Sequence, residues 1–113
     1  MTHTVRGIVS LPADAPATEA ARVLVEVRDV SLADAPSTVV AAQVQTDVPL
    51  APHGRIPFSI DVPDLDPTGA YGLRVHVDLS GSGALEAGDL ISTQAHAVVP
   101  ESQEELTAPV STV

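Results

Sequence analysis

Apolar residues recur with a period of two along several stretches of the chain, and Pro, Gly or Asp residues bound each stretch. That period places alternate side chains on one face of a β-strand. In residues 71–79, "YGLRVHVDL", Tyr71, Leu73, Val75, Val77 and Leu79 face inward while Arg74, His76 and Asp78 face outward. Residues 55–62, "RIPFSIDV", set Ile56, Phe58, Ile60 and Val62 on one face. Pro57 lacks an amide donor, which predicts an edge strand there. Residues 22–30, "RVLVEVRDV", turn Val23, Val25 and Val27 inward, with Glu26 and Arg28 opposite. A strand over 4–11 aligns Val5, Gly7, Val9 and Leu11, and one over 38–46 aligns Val40, Ala42 and Val44. Residues 90–99 form a further strand, and "ELTAPVSTV" supplies a last strand or a loose tail.

No long amphipathic helix and no internal repeat is visible. Short strands separated by turn signals predict an all-β fold, an antiparallel β-sandwich of about seven strands, Ig-like or transthyretin-like in general form. The sandwich is expected over residues 1–100, with 101–113 as a C-terminal strand or flexible tail. The chain has 113 residues, one ordinary domain, and 44% of them are hydrophobic. Aromatic residues make up only 2%, Phe58 and Tyr71, so the core is expected to be Val, Leu, Ile and Ala.

Charge and missing residue types narrow the function. The net charge is −10, and all five basic residues are Arg. That balance opposes binding to nucleic acid or to an anionic membrane surface. It suits solubility, cations or a basic partner. The lack of cysteine excludes disulfides, thiolate metal sites, a cysteine nucleophile and a lipid-modified cysteine on this chain. No apolar run approaches the roughly 20 residues needed to span a bilayer. The opening "MTHTVRGIVSLP" carries no charged-then-apolar leader pattern. The expected location is the envelope, periplasm or exterior if a leader has been removed, and otherwise the cytoplasm.

Residues 78–89, "DLSGSGALEAGD", fit two structures. A calcium loop of the EF-hand type takes oxygen ligands at positions 1, 3, 5, 7, 9 and 12, with Gly at 6. In that register the ligands are Asp78, Ser80, Ser82, the carbonyl of Ala84, Glu86 and Asp89, and Gly83 stands at the bend. Hydroxyls at positions 3 and 5 bind a hard cation weakly, and Asp at 12 is shorter than the usual Glu. Any calcium affinity is therefore expected on the order of 10⁻⁴ to 10⁻³ M, and no other cofactor is expected. The alternative is a strand connection. There Gly81, Gly83 and Gly88 supply positive φ, and Ser80, Ser82 and Asp89 hydrogen-bond the turn.

Other constellations are thinner. His76 and His96 sit on strands that could pair, and with Asp78 they are a sparse transition-metal set; surface histidines on a sheet face are the plainer reading. Asp61, Asp64 and Asp66 cluster in a segment that reads as a solvated loop. No nucleophile elbow and no phosphate-binding glycine loop is present.

The segment "VEVRDVSLADAPSTVVAAQ" resembles the YbaY/YscW-like family of small bacterial β-sandwich proteins. "VRGIV" precedes it, like that family's opening strand with a central glycine. "IPFSIDVPDLDPTGAYGLRVHVDL" and "GDLISTQAHAVV" follow in the family's order, so the likeness spans residues 5–99. "DVSLADAPS" is its most specific part. The resemblance implies a non-enzymatic fold. Many members are envelope lipoproteins, and one branch resembles pilotin-type chaperones that assist an outer-membrane secretin of type III secretion systems. This chain departs from the lipoprotein pattern in having no cysteine.

Within "DVSLADAPS", Asp29 and Asp34 are expected to accept backbone amides and fix a turn. Ser31, Leu32, Asp34, Ala35 and Pro36 are the candidate partner-binding residues, as an exposed loop between strands. The leading function is a non-catalytic binding or chaperone-like accessory module. It would act through a protein partner at the bacterial envelope, by strand edges or by these loops. The alternative is a structural or calcium-stabilised module that supports other domains or binds saccharide. Saccharide binding calls for exposed aromatic platforms, and both aromatics are expected to face inward.

Overall fold

The computed structural model describes residues 2–31, 38–63, 65, 68–92, 96–98 and 105–113. Eight strands account for most of them: β1 Thr2–Ser10, β2 Glu19–Asp29, β3 Thr38–Pro49, β4 Arg55–Pro63, β5 Tyr71–Asp78, β6 Leu90–Ser92, β7 His96–Ala97 and β8 Leu106–Thr112. No helix occurs among the described residues.

The strands form one mixed sheet in the order β3-β2-β5-β6-β8-β1-β4, and β7 also pairs with β5. This corrects the expected antiparallel sandwich. The strand that prevents a division into two sheets is β8. Its first half runs parallel to β1, with Gly7 opposite Leu106 and Ser10 opposite Pro109. Its second half runs antiparallel to β6, with Ser92 opposite Val110 and Leu90 opposite Thr112. Alternation along a strand reports which face is buried but not which neighbour the strand takes, so neither the parallel pair nor the change of partner is encoded in the pattern.

The sheet curls until its ends, β3 and β4, lie side by side, giving a nearly closed, barrel-like shape. Two glutamines of β3 bridge this seam. Gln45 Nε2 donates to the carbonyl of Pro57 at 2.9 Å, and Gln43 Oε1 accepts the amide of Ser59 at 3.3 Å. The two amides also bond each other at 3.3 Å. They take the positions that a backbone ladder would fill. β4 is an end of the sheet order, as Pro57 predicted, and Pro57 presents a carbonyl and no donor to the seam.

The interior is aliphatic. Val9, Val23, Val25, Val27, Val62, Val75, Val77 and Leu90 are fully buried, and Ile56, Phe58, Ile60 and Leu73 pack among them. The inward apolar residues read for β1, β2, β4 and β5 are buried, Phe58 and Tyr71 among them, whereas Glu26 of β2 and Asp78 of β5, read as outward, are buried too. Leu79 is only half-buried, beyond the end of β5.

β3 departs from its expected face. Ala42 and Val44 are exposed, Val44 at 50%. The β2–β3 register steps from Val27–Ala41 to Arg28–Val39, which leaves Val40 as an extra, bulged residue, partly buried against the core. Opposite Val23 and Val25 stand Gln45 and Gln43, so β3 turns its glutamines toward the seam and its valine at 44 outward.

Gly7, at the centre of β1, permits a close approach. A Cβ there would meet the carbonyl of Leu106 on β8 and lie 2.6 Å from Cζ of Phe58, whose residue is its register partner on β4. The phenyl ring covers the glycine, a known device for filling the gap that a missing side chain leaves in a sheet.

Candidate functional site

Residues 78–89 connect β5 to β6 as a loop organised around two buried carboxylates. Asp78 and Asp89 are each only 1% exposed, although the strand pattern had placed Asp78 outward. The correction has a local cause. Asp78 ends β5, and its carboxylate folds into the loop to cap the amides of Gly81 at 2.9 Å and Gly83 at 2.8 Å. Buried carboxylates persist where such donors replace water.

Asp89 fixes the other end. Its Oδ1 accepts the amide of Leu79 at 3.1 Å. Its Oδ2 accepts the amide of Glu86 at 3.0 Å and faces Nε2 of His76 at 2.9 Å. An ionised carboxylate only accepts, so Nε2 carries the proton and donates. Burial opposes ionisation of Asp89 and is the largest single influence. The hydrogen bond from His76, the amides of Leu79 and Glu86 and the electrostatic attraction of His76 together outweigh it and hold the carboxyl below its ordinary value.

Between these ends Glu86 gathers the two hydroxyls. Ser82 Oγ donates to Oε1 at 2.7 Å, and Ser80 Oγ lies 3.3 Å from Oε2 and 3.4 Å from Asp78 Oδ1. Gly81, Gly83 and Gly88 have φ of 78°, 83° and 96°, left-handed values that favour glycine. The loop also holds the chain end: Val113 donates its amide to the carbonyl of Asp89 at 2.7 Å.

Five side chains of the candidate calcium set, those of Asp78, Ser80, Ser82, Glu86 and Asp89, thus lie in one hydrogen-bonded cluster. Carboxylate and imidazole donor atoms of His76, Asp78 and Asp89 lie within 4.8 Å of one another. His76 belongs to this cluster through Asp89. His96 pairs in backbone register with Leu73, so the sheet does not set it opposite His76. Asp61 accepts a bond from Thr4 Oγ1 at 3.0 Å, while Asp64 and Asp66 lie outside the described residues.

Of the candidate partner-binding residues, Leu32, Asp34, Ala35 and Pro36 lie outside the described residues. Ser31 is described. Its amide donates to Asp29 Oδ1 at 2.9 Å, the turn bond expected of Asp29, and its hydroxyl accepts the amide of Ala70 at 2.9 Å. These bonds tie the start of that segment to the turn before β5.

The comparisons with known proteins follow this geometry. Residues 1–107 match the family model described as the type III secretion system lipoprotein chaperone, YscW. The chain belongs to the YscW family. Among solved structures, it is similar to one described as an alternative pilotin from the type II secretion system of Vibrio cholerae. The two chains are 22% identical, the match covers 100% of this chain and 98% of that one, and the TM-score is 0.73. This likeness shows a shared fold. No curated protein matches the chain. Among the described residues, this YscW-family chain has no helix long and apolar enough to cross a membrane.

One surface feature escaped the sequence reading. Val44 and Ala42, expected in the core, stand outside on β3 beside Leu24 of β2. A valine in a strand reads alike whether it packs inward or waits on a surface. The interleaved Gln43 and Gln45 were the available signal that the other face was in use.

Proposed function

We propose that this chain is a non-catalytic, chaperone-like accessory protein that engages a component of a secretion apparatus at the bacterial envelope. The observation that carries the reading is the family match over residues 1–107. The shared fold with a protein described as a type II secretion pilotin supports it over the full length of the chain. Such a role works by contact. It is consistent with a polar cluster whose two buried carboxylates, Asp78 and Asp89, accept loop amides and hold the loop in shape. Saccharide recognition is disfavoured, because the chain's only aromatics, Phe58 and Tyr71, are buried and offer no stacking platform.

The test is genetic and biochemical. In the source bacterium, deletion of the gene should lower the amount of assembled secretin in the outer membrane, and an affinity-tagged copy should co-purify with secretin subunits. Unchanged secretin assembly, with no secretion component recovered on the tagged protein, would overturn the reading.

A second reading, a calcium-stabilised module, draws on the convergence of Asp78, Ser80, Ser82 and Glu86. Asp89 weighs against it, since both of its oxygens already accept protein donors.

A further inference from the structure

The outer face of the β3-β2-β5 sheet concentrates arginines of this acidic chain, and its carboxylates, Glu26 and Asp78, are both buried and engaged, Glu26 by Arg28 and Asp78 by the amides of Gly81 and Gly83. Three of the five arginines, Arg22, Arg28 and Arg74, lie on it. Arg28 pairs with Glu26 at 3.2 Å. Arg22 and Arg74 make no ion pair or hydrogen bond among the described residues, in a chain with 15 carboxylates. Arg22 Nε is also buried without an acceptor. Native structures rarely leave a buried donor unanswered, so such an atom asks for an explanation.

Apolar surface lies beside these cations. Register sets Thr46 next to Arg22, Val44 next to Leu24, and Ala42 next to Glu26, which is followed by Arg74 on β5. Val39 stands beside Arg28. Val39 and Val44 are 45% and 50% exposed, two of the five exposed large hydrophobic residues among the described residues. Same-face neighbours along a strand are about 7 Å apart, so these four rows span roughly 20 Å. The result is an apolar stripe along an end strand, rimmed by two unpaired guanidinium groups.

The geometry points to this face as the docking surface for an acidic, apolar segment of the protein partner. The assignment rests on the accessory reading above and adds the place and chemistry of the contact. Charge complementarity selects the occupant. A basic segment would be repelled by Arg22 and Arg74, whereas carboxylates on the partner would satisfy both guanidinium groups in the bidentate geometry that arginine favours. Leu24, Ala42 and Val44 would take the segment's apolar side chains. A span of roughly 20 Å accommodates about 13 residues of helix or about 6 of extended chain.

Site-specific photocrosslinking in the source bacterium tests the assignment. The full-length protein would carry benzoylphenylalanine in place of Val44 or, as a control on another wall of the barrel, in place of Thr4. The expected result is a crosslink from position 44 to a segment whose sequence, read by mass spectrometry, is net negative with interspersed apolar residues. Arg74→Glu and Arg74→Gln, checked for an unchanged thermal midpoint, should each lower the crosslinked yield, the former by about tenfold or more. A crosslink from position 44 to a neutral or basic segment overturns the assignment, as does full yield with both Arg74 variants. Crosslinks from position 4 alone overturn it while leaving the accessory reading intact. Failure at both positions overturns the assignment as well, and the accessory reading is then judged separately by secretin assembly and co-purification.

Discussion

His76 and Asp89 meet across the base of the 78–89 loop, with Nε2 and Oδ2 2.9 Å apart. The same carboxylate receives the amides of Leu79 and Glu86, one from each arm of the loop. One buried side chain therefore ties the end of β5, the middle of the loop and the start of β6.

Asp89→Asn should destabilise the protein by about 2–3 kcal/mol, because it removes charge-assisted bonds and turns an NH₂ group toward existing donors. Urea unfolding at neutral pH measures this. The pH dependence has a definite sign. The folded-state carboxyl titrates below its ordinary value of 3.8, so its contribution is fully present above that value and is lost as pH falls through the lower folded one. The gap between wild type and variant should therefore narrow as pH falls below 3.8.

Calcium should leave the thermal midpoint of metal-stripped protein unmoved at millimolar concentration, with magnesium as control. Asp89 stands at the twelfth loop position, where a calcium loop needs a free carboxylate, and its oxygens are engaged by protein donors. A ligand present at its dissociation constant would add about 0.4 kcal/mol, and one at 100 times that constant about 2.7 kcal/mol. A saturable rise abolished by Asp78→Ala would reverse this conclusion and make the loop a metal site.

Gly7→Ala should cost about 1–3 kcal/mol through overpacking. Its methyl would press on Phe58 and on the carbonyl of Leu106, forcing β8 away from β1. Gly7→Ala combined with Phe58→Leu separates the two clashes. Relief of the ring contact should recover only part of the loss, because the backbone contact remains. Chemical denaturation of the single and double variants provides the comparison.

Gln43→Ala together with Gln45→Ala should open the seam between β3 and β4 without unfolding the barrel. Amide exchange at Ser59 should accelerate, since its acceptor is Gln43 Oε1, while amides of β2 and β5 keep their protection. Residue-resolved hydrogen exchange by NMR distinguishes this local opening from global loss of stability.

Much of the fold was legible where one face of a strand meets the core. Val23, Val25 and Val27 of β2 and Ile56, Phe58, Ile60 and Val62 of β4 lie where their alternation put them. The glycines of the 78–89 loop adopt the positive φ that a tight connection required. β3 was misread because a bulged residue shifts its register, and because two glutamines serve as acceptor and donor for the neighbouring edge. Asp78 was misread because a polar residue at a strand end is predicted to seek water, whereas here loop amides replace that water. Pairing between distant strands left no local trace. Nor did the outer face, since Arg22, Leu24 and Val44 converge only once β2 and β3 have paired.

The dual pairing of β8 also sets the order in which the molecule can be completed. Its halves join β1 and β6, so β1 acquires its second neighbour only when β8, roughly 100 residues later, has been made. At about 5–20 residues per second, the intervening roughly 100 residues occupy the ribosome for about 5–20 s. During that time one edge of β1 has no strand beside it, and the barrel wall has a gap. Nascent chains lacking β8 should therefore remain protease-sensitive, with acquisition of resistance coinciding with emergence of Leu106–Thr112. The wall of the barrel therefore closes late, when β8 reaches β1.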